Sequence, residues 1–356
     1  MKRKSFISED KSKFAFIDSI NASNYNQTIN IKSLNGTTVS TDATFSMYYA
    51  GGSSNVWAVN SDFSMIAYNH DPASGSSHPH VIRVQKLNSS TGSYDQLADI
   101  ERPSGWTSTG DNTGIWRSVK ILSDTRIVVG TITTHTTATP QLHVFDLSNN
   151  SWSLSGTFTF SGNYTRIYDR NLILNEDGSR LASHDYVSEK IEFFELDYDN
   201  FTVSSFLPDF SQSLSSSGTR WIVNENLDTI ASVVPQGSRG NNGWLQIHKY
   251  NSSSNSWVKT NDGEYLNSEL WAINELAISH DGNVIATYDH GDNYKLRCFY
   301  YDHPSDEWIM LGSAMSAQVG WTNGIAFSGD GKMFVTRDFN NTKREIKTID
   351  FTRIYY

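Results

Sequence analysis

Leu276 to His290, LAISHDGNVIATYDH, carries the reading of the whole chain. An apolar segment runs into Asp281-Gly282, and a second apolar segment leaves it and ends at Asp289. Alternating residues on both sides of an Asp-Gly pair are the strongest short-range signal for two antiparallel strands joined by a tight turn. The same unit returns along the chain. With Asp281 as the mark, its equivalents are Asp10, Asp62, Asp124, Asp177, Asn226 and Asp330, spaced 49 to 62 residues apart.

A second signature follows each mark. It reads INIKSLN from Ile29, IRVQKLN from Ile82, LHVFDLS from Leu142, IEFFELD from Ile191, LQIHKYN from Leu245, LRCFYYD from Leu296 and IKTIDFT from Ile346. Each alternates with period two and ends on a polar turn residue, as a half-buried strand does. Trp152, Trp257 and Trp308 then open a further strand, with Tyr94 in a comparable place. The unit is therefore strand A, turn, strand B, loop, strand C, polar turn, strand D. Four antiparallel strands repeated every fifty or so residues make the blades of a β-propeller.

Seven copies predict an all-β, seven-bladed propeller occupying residues 1–356 as one domain. The blades fall at about 1–50, 51–109, 110–160, 161–212, 213–263, 264–315 and 316–356. The last is expected to be three-stranded or to carry only a stub of a fourth strand. Strand A of the first blade must lie within Lys2 to Ser8, because Asp10 already marks its turn. Thr352 to Tyr356 are all that remains for strand D of the last, with Ile354, Tyr355 and Tyr356 packed on the rim. The sheet edge there invites a partner strand, since unpaired backbone groups accept strand addition.

The units SHDGNVIATYD, SGDGKMFVTRD and NEDGSRLASHD resemble the repeats of WD-repeat-like, TolB-type and lactonase-type propellers. EWIMLG also resembles repeats common in large proteins of marine microbes and their viruses. There is no G-H/W-D pair of the WD type, and the proline of the TolB-type S-P-D-G is absent. These motifs encode the blade, and blades host unrelated functions.

Net charge is −10, and Lys2-Arg3-Lys4 is the only basic cluster. A nucleic-acid partner is not expected, because phosphate binding needs a basic stripe. The single cysteine, Cys298, excludes an internal disulfide and is expected to pack as a small hydrophobe between blades. No signal-peptide pattern and no apolar run of membrane-spanning length is present. A cytoplasmic or virion-associated chain is expected before a classically secreted one. Nine N-x-S/T sequons occur, against roughly seven expected by chance in a chain of this composition.

In propellers the B-C and D-A loops open on one face and strand A lines the channel. Long, variable loops mark the functional face. Trp57, Trp116, Tyr168, Trp221, Trp271 and Trp321 enter strand A in six blades, and a ring of aromatics there would suit stacking on sugars or capture of a peptide. Packing between blades explains the same residues and is the favoured reading. Asp18, Asp71, Asp185, Asp289 and Asp338 end strand B, where an Asp readily pins its own turn by accepting backbone N–H groups. His70, His78, His80, His135, His184 and His290 crowd the B-C loops without a metal-ligand spacing. Glu275, Arg117, Arg170 and Arg220 are the charged residues nearest the expected channel wall.

The leading reading is a non-enzymatic binding or structural module that presents a loop-rich face to a protein or glycan. A virion or cell-surface component would fit it, with no cofactor and no catalytic residues. The rival is a hydrolase or lyase of the lactonase kind that uses a channel-bound cation, with Asp169, Asn224, Asn274 and Glu275 as candidate ligands.

Overall fold

The computed structural model describes residues 5–21, 26–48, 56–70, 81–101, 115–132, 141–160, 172–185, 190–211, 220–236, 242–260, 273–289, 295–312, 315–316, 325–337 and 344–348. Every regular element among them is a strand. Consecutive strands pair antiparallel in the order of the chain, as the repeat predicts.

Blade 1 is β1 (Ser5–Ile7), β2 (Lys13–Asn21), β3 (Asn26–Asn35) and β4 (Thr38–Tyr48). Blade 2 is β5 (Trp57–Val59), β6 (Met65–His70), β7 (Val81–Leu87) and β8 (Tyr94–Gln96), with β9 (Ile100–Glu101) also paired to β7. Blade 3 comprises β10 (Ile115–Ser123), β11 (Arg126–Ile132), β12 (Gln141–Ser148) and β13 (Ser151–Thr159). Blade 4 has β14 (Leu172–Leu174), β15 (Arg180–Asp185), β16 (Lys190–Asp197) and β17 (Thr202–Ser211). In blade 5 the strands are β18 (Arg220–Val223), β19 (Thr229–Gln236), β20 (Asn242–Asn251) and β21 (Ser256–Lys259). Blade 6 holds β22 (Ile273–Ile278), β23 (Val284–Asp289), β24 (Lys295–Asp302) and β25 (Glu307–Met310), with β26 (Met315–Ser316) also on β24. The seventh sheet is β27 (Ala326–Phe327), β28 (Met333–Arg337) and β29 (Arg344–Thr348).

The expected blade count of seven is corrected to six complete, four-stranded blades among the described residues. The seventh copy of the repeat forms a sheet of three strands among the described residues. Its strand C ends at Thr348, and Thr352 to Tyr356, with the fourth-strand stub and rim packing expected of them, lie outside the described residues.

Backbone contacts divide the chain into two compact units. The first contains Ser8–Ser188 and Phe194–Ser205; the second contains Lys2–Ile7, Glu189–Phe193 and Phe206–Tyr356. In the first, Val56, Met65, Ile82, Ile127, Val129 and Phe145 belong to one buried cluster between blades 2 and 3. In the second, successive residues of β23 and of β24 serve two different clusters. Ile285 and Phe299 join Leu245 and Ile247 of blade 5, whereas Ala286 and Cys298 join Phe327 of the seventh sheet. The period of two sends successive side chains to opposite faces, so each sheet packs on both sides. Cys298 is buried there as a small hydrophobe, and burial pushes its thiol up to about 12.

The tryptophans that open strand D tie neighbouring blades together. Trp257 Nε1 donates to the Pro208 carbonyl at 2.9 Å, and Trp308 Nε1 donates to Thr260 Oγ1 at 3.0 Å. Trp152 occupies the same place in blade 3, but its buried Nε1 has no hydrogen-bond partner among the described residues. The residue of blade 2 equivalent to Thr260 is Leu97, since both donate their amide to the third strand (Val84 and Ile247 carbonyls) at 2.9 Å. A leucine offers no acceptor.

Five of the nine sequons, at Asn35, Asn88, Asn149, Asn200 and Asn251, sit at the hairpin between third and fourth strands. Turn chemistry accounts for that. Asn88 Oδ1 accepts from Ser90 N at 3.0 Å, and Asn251 Oδ1 accepts from Ser253 N at 2.9 Å. Such Asx turns favour Asn or Asp followed by small polar residues.

Candidate functional site

The two ends of the strands use the same residue types differently. At the A-B turns, a Ser or Asn just past the end of strand A reaches across to the first amide of strand B. Ser8 Oγ accepts from Lys13 N at 2.8 Å, Asn60 Oδ1 from Met65 N at 2.8 Å and Asn175 Oδ1 from Arg180 N at 2.8 Å. The lock recurs as Asn224 to Thr229 N at 2.8 Å, Ser279 to Val284 N at 2.9 Å and Ser328 to Met333 N at 3.0 Å. The Asp two residues on then accepts from the amide two further along, as in Asp10 to Ser12 N and Asp177 to Ser179 N. Hydrogen bonds from Ser8 and Ser12 hold the Asp10 carboxyl below the usual carboxylate range, and Ser179 does the same for Asp177.

Asn224 is the most engaged of these locks. Its Oδ1 accepts from the Asp228 and Thr229 amides, and its Nδ2 donates to Asp228 Oδ1 at 2.7 Å and to the His280 carbonyl of blade 6 at 3.1 Å. His280 in turn donates its amide to the Gly329 carbonyl at 3.1 Å. Asn224 is therefore a turn residue with its amide oxygen and nitrogen occupied, and its assignment as a cation ligand is corrected.

The fourth residue of the turn has a left-handed backbone. Gly282 (φ 72°) lies so close to blade 5 that a Cβ would fall 2.5 Å from Thr229 Oγ1. Elsewhere the position holds Phe63 (φ 60°) and Leu227 (φ 59°), whose side chains are buried. Packing there offsets the strain that a side chain meets at positive φ.

At the opposite end, register decides which residues share a level. Trp57 faces Tyr68, and Trp221 faces Ser232, one strand pair apart from the same third-strand position. Trp57 is 0% exposed and Trp221 5%. Buried indoles pack; for these two the sugar-stacking role is corrected to blade packing. Trp116 pairs with Thr131 and stands three residues before Val119, which occupies the level of Trp57 in blade 3. The six aromatics do not form one register. Tyr168, Trp271 and Trp321 lie outside the described residues, as do Asp169, Arg170, Asp71, Asp338 and His78, His80, His135 and His290. His70 ends β6 with its ring edge-on to Tyr68 at 6.5 Å. Asp18, Asp185 and Asp289 lie in β2, β15 and β23, and His184 in β15.

Two first strands carry a β-bulge at the same place. In β10 the pairing shifts between Trp116 and Ser118, leaving Arg117 as the extra residue; in β22 it shifts between Ile273 and Glu275, leaving Asn274. Ser118 faces Gly130 and Glu275 faces Tyr288, and those partners face Leu142 and Leu296, the first residues of the third-strand motif. Arg220 has the same standing in blade 5, facing Val233 and through it Leu245. Arg220 and Glu275 thus occupy one level on β18 and β22, which pack against each other in the second unit. Bulges of this kind re-aim side chains and are frequent beside active sites. Sequence periodicity missed the bulges, because one extra residue in a short strand looks like a shifted start.

No family model matches the sequence, and no curated protein does. Among solved structures, a Bacteroides fragilis protein assigned as a 6-phosphogluconolactonase is similar over 98% of this chain and 94% of its own, at 11% identity and TM-score 0.60. The periplasmic gluconolactonase of Pseudomonas aeruginosa matches over 95% of this chain and 93% of its own, at 12% identity and TM-score 0.62. The hydrazine synthase of Kuenenia stuttgartiensis matches equally well, over 97% and 95%, at 12% identity and TM-score 0.60. Proteins of such different titles share only the architecture, so by these likenesses the chain has the β-propeller fold, with lactonase-type propellers among its structural neighbours.

Proposed function

We propose that the chain is a hydrolase of small lactones that works at the loop-bearing ends of its blades. The observation that carries this reading is the common level of Arg220 and Glu275 on adjacent first strands, beside the bulge at Asn274. A carboxylate and a guanidinium at one level are the minimum for adding water to an ester carbonyl. Glu275 takes a proton from water as the water oxygen bonds to the lactone carbonyl carbon, then gives that proton to the ring oxygen as the ring C–O bond breaks; the resulting hydroxy acid ionises in water and releases the proton that the assay reads. Arg220 stabilises the developing oxyanion. Support also comes from the structural neighbours titled gluconolactonase and 6-phosphogluconolactonase.

The cation of the lactonase kind does not fit the four residues first assigned to it, because both polar atoms of Asn224 are used within its turn. The test is proton release from glucono-δ-lactone and from 6-phosphogluconolactone with the purified protein. Turnover above spontaneous hydrolysis is expected, and Glu275→Gln should lower it by about 100-fold or more. No acceleration of either substrate would overturn the reading and return the chain to a non-enzymatic module that binds a protein or glycan.

A further inference from the structure

Blade 5 has an imidazole where its neighbours have a phenyl ring. His248 pairs with Ile230 on β19 and with Lys259 on β21. By the same pairing, Phe145 faces Ile127 in blade 3 and Phe299 faces Ile285 in blade 6, and both phenyl rings are buried in apolar clusters. In blades 3 and 6 the position holds an apolar ring, whereas blades 1 and 2 place Lys32 and Gln85 there. In blade 5 the imidazole lies edge-on to Phe210 of β17 at 4.8 Å, and Phe210 lies edge-on to Trp257 at 5.9 Å. Trp257 stacks on Phe193 at 5.0 Å and donates to the Pro208 carbonyl. This aromatic nest joins β16 and β17 to β20 and β21 within the second unit.

His248 Nδ1 is buried and has no hydrogen-bond partner among the described residues. His143, whose side chain is buried, is held differently: Thr131 Oγ1 lies 3.0 Å from its Nε2 and Thr157 Oγ1 3.0 Å from its Nδ1. His143 has hydroxyls that can turn to accept from a charged ring, and His248 Nδ1 has none.

We propose that His248 is an acid-operated release for the seam between blades 4 and 5, its protonation driving the ring out of the aromatic nest and parting β17 from β21. The charged groups on the surrounding elements do not favour the imidazolium. Lys259, directly across on β21, repels it. Asp209 on β17 is already paired with Lys190 of β16 at 3.3 Å, and β19 carries no ionisable residue. Glu192 on β16 also has its own interaction. On β20 itself, Lys249 lies on the opposite face, 3.5 Å above the Tyr301 ring of blade 6.

Burial, with a smaller contribution from Lys259, pushes His248 down from 6.5 to about 4. The sign follows from that direction. Between those values the opened state binds the extra proton, so the seam is fully closed above pH 6.5 and loses stability as pH falls toward 4.

Hydrogen exchange of β17 and β21 amides, corrected for the intrinsic effect of pH, tests this. Protection in the natural protein should fall by up to about 80-fold between pH 6.5 and 4, out of the about 300-fold that the full shift allows from neutral pH to well below 4. His248→Phe, which installs the ring of blades 3 and 6, should remove that dependence while β11 and β12 behave as before. His248→Leu gives a second non-titrating variant should the phenyl ring be accommodated poorly. Equal acid response in the natural protein and either folded variant would overturn the proposal.

Discussion

The A-B turn end of the blades and the opposite end of their first strands make an instructive pair. Both are rich in Asn, Asp and Arg or Lys. At the turn end the Asn or Ser lock and its following Asp are consumed within the turn, as Asn224 shows with contacts to Asp228, Thr229 and His280. At the other end, β10 and β22 break register and hold Arg117 and Asn274 on bulges, next to the level of Ser118, Arg220 and Glu275. A polar residue inside a repeated turn is a fastener; under the proposed function, the bulges place polar residues beside the reacting lactone.

The comparison breaks if the fasteners prove dispensable. Asn224→Ala removes an amide that is 1% exposed and strands two backbone donors, so unfolding by urea should show a loss of about 3 kcal/mol. A loss below about 1 kcal/mol would mean that water or neighbouring groups replace the lock.

Gly282→Ala comes next. Its backbone is left-handed and its Cβ would lie 2.5 Å from Thr229 Oγ1, on a threonine that is itself buried. A cost of about 1–3 kcal/mol is expected in the same titration. Gly36 sharpens the point, because it has a similar φ with nothing within 4 Å, and alanine there should cost less.

The smallest effect belongs to the other end. If the proposed function holds, Arg220→Gln should leave stability within about 0.5 kcal/mol while weakening turnover of the lactone, as expected for a side chain that serves the ligand and not the turn. A large loss of stability would make Arg220 a fastener too, and the distinction between the ends would fail.

Much of this architecture was legible in advance. Asp281-Gly282 between alternating apolar runs determined a hairpin, and its recurrence with the IRVQKLN-type signature determined repeated antiparallel blades. Those features are local: a turn needs particular dihedrals, and a strand needs period two. Trp257 and Trp308 as packing residues and Cys298 as a small core residue were readable for the same reason, since regular spacing puts them at one place in each blade.

The site was less legible. Trp57 and Trp116 both precede a strand B in much the same way, yet only register shows that they stand at different levels. Asn224 and Asn274 are both asparagines of blades 5 and 6, one locked in a turn and one on a bulge. The extra residue of a bulge has no marker in composition, because it is defined by the strand across from it. His248 reads as one more polar residue in LQIHKYN until Phe210 and Trp257 of the adjoining strands are set beside it. Sequence by itself determined the repeat, since local dihedral and periodicity preferences are written residue by residue. Tertiary structure alone decided which polar groups were used up and which imidazole nitrogen was buried without a partner, because those depend on neighbours that lie roughly one blade away along the chain.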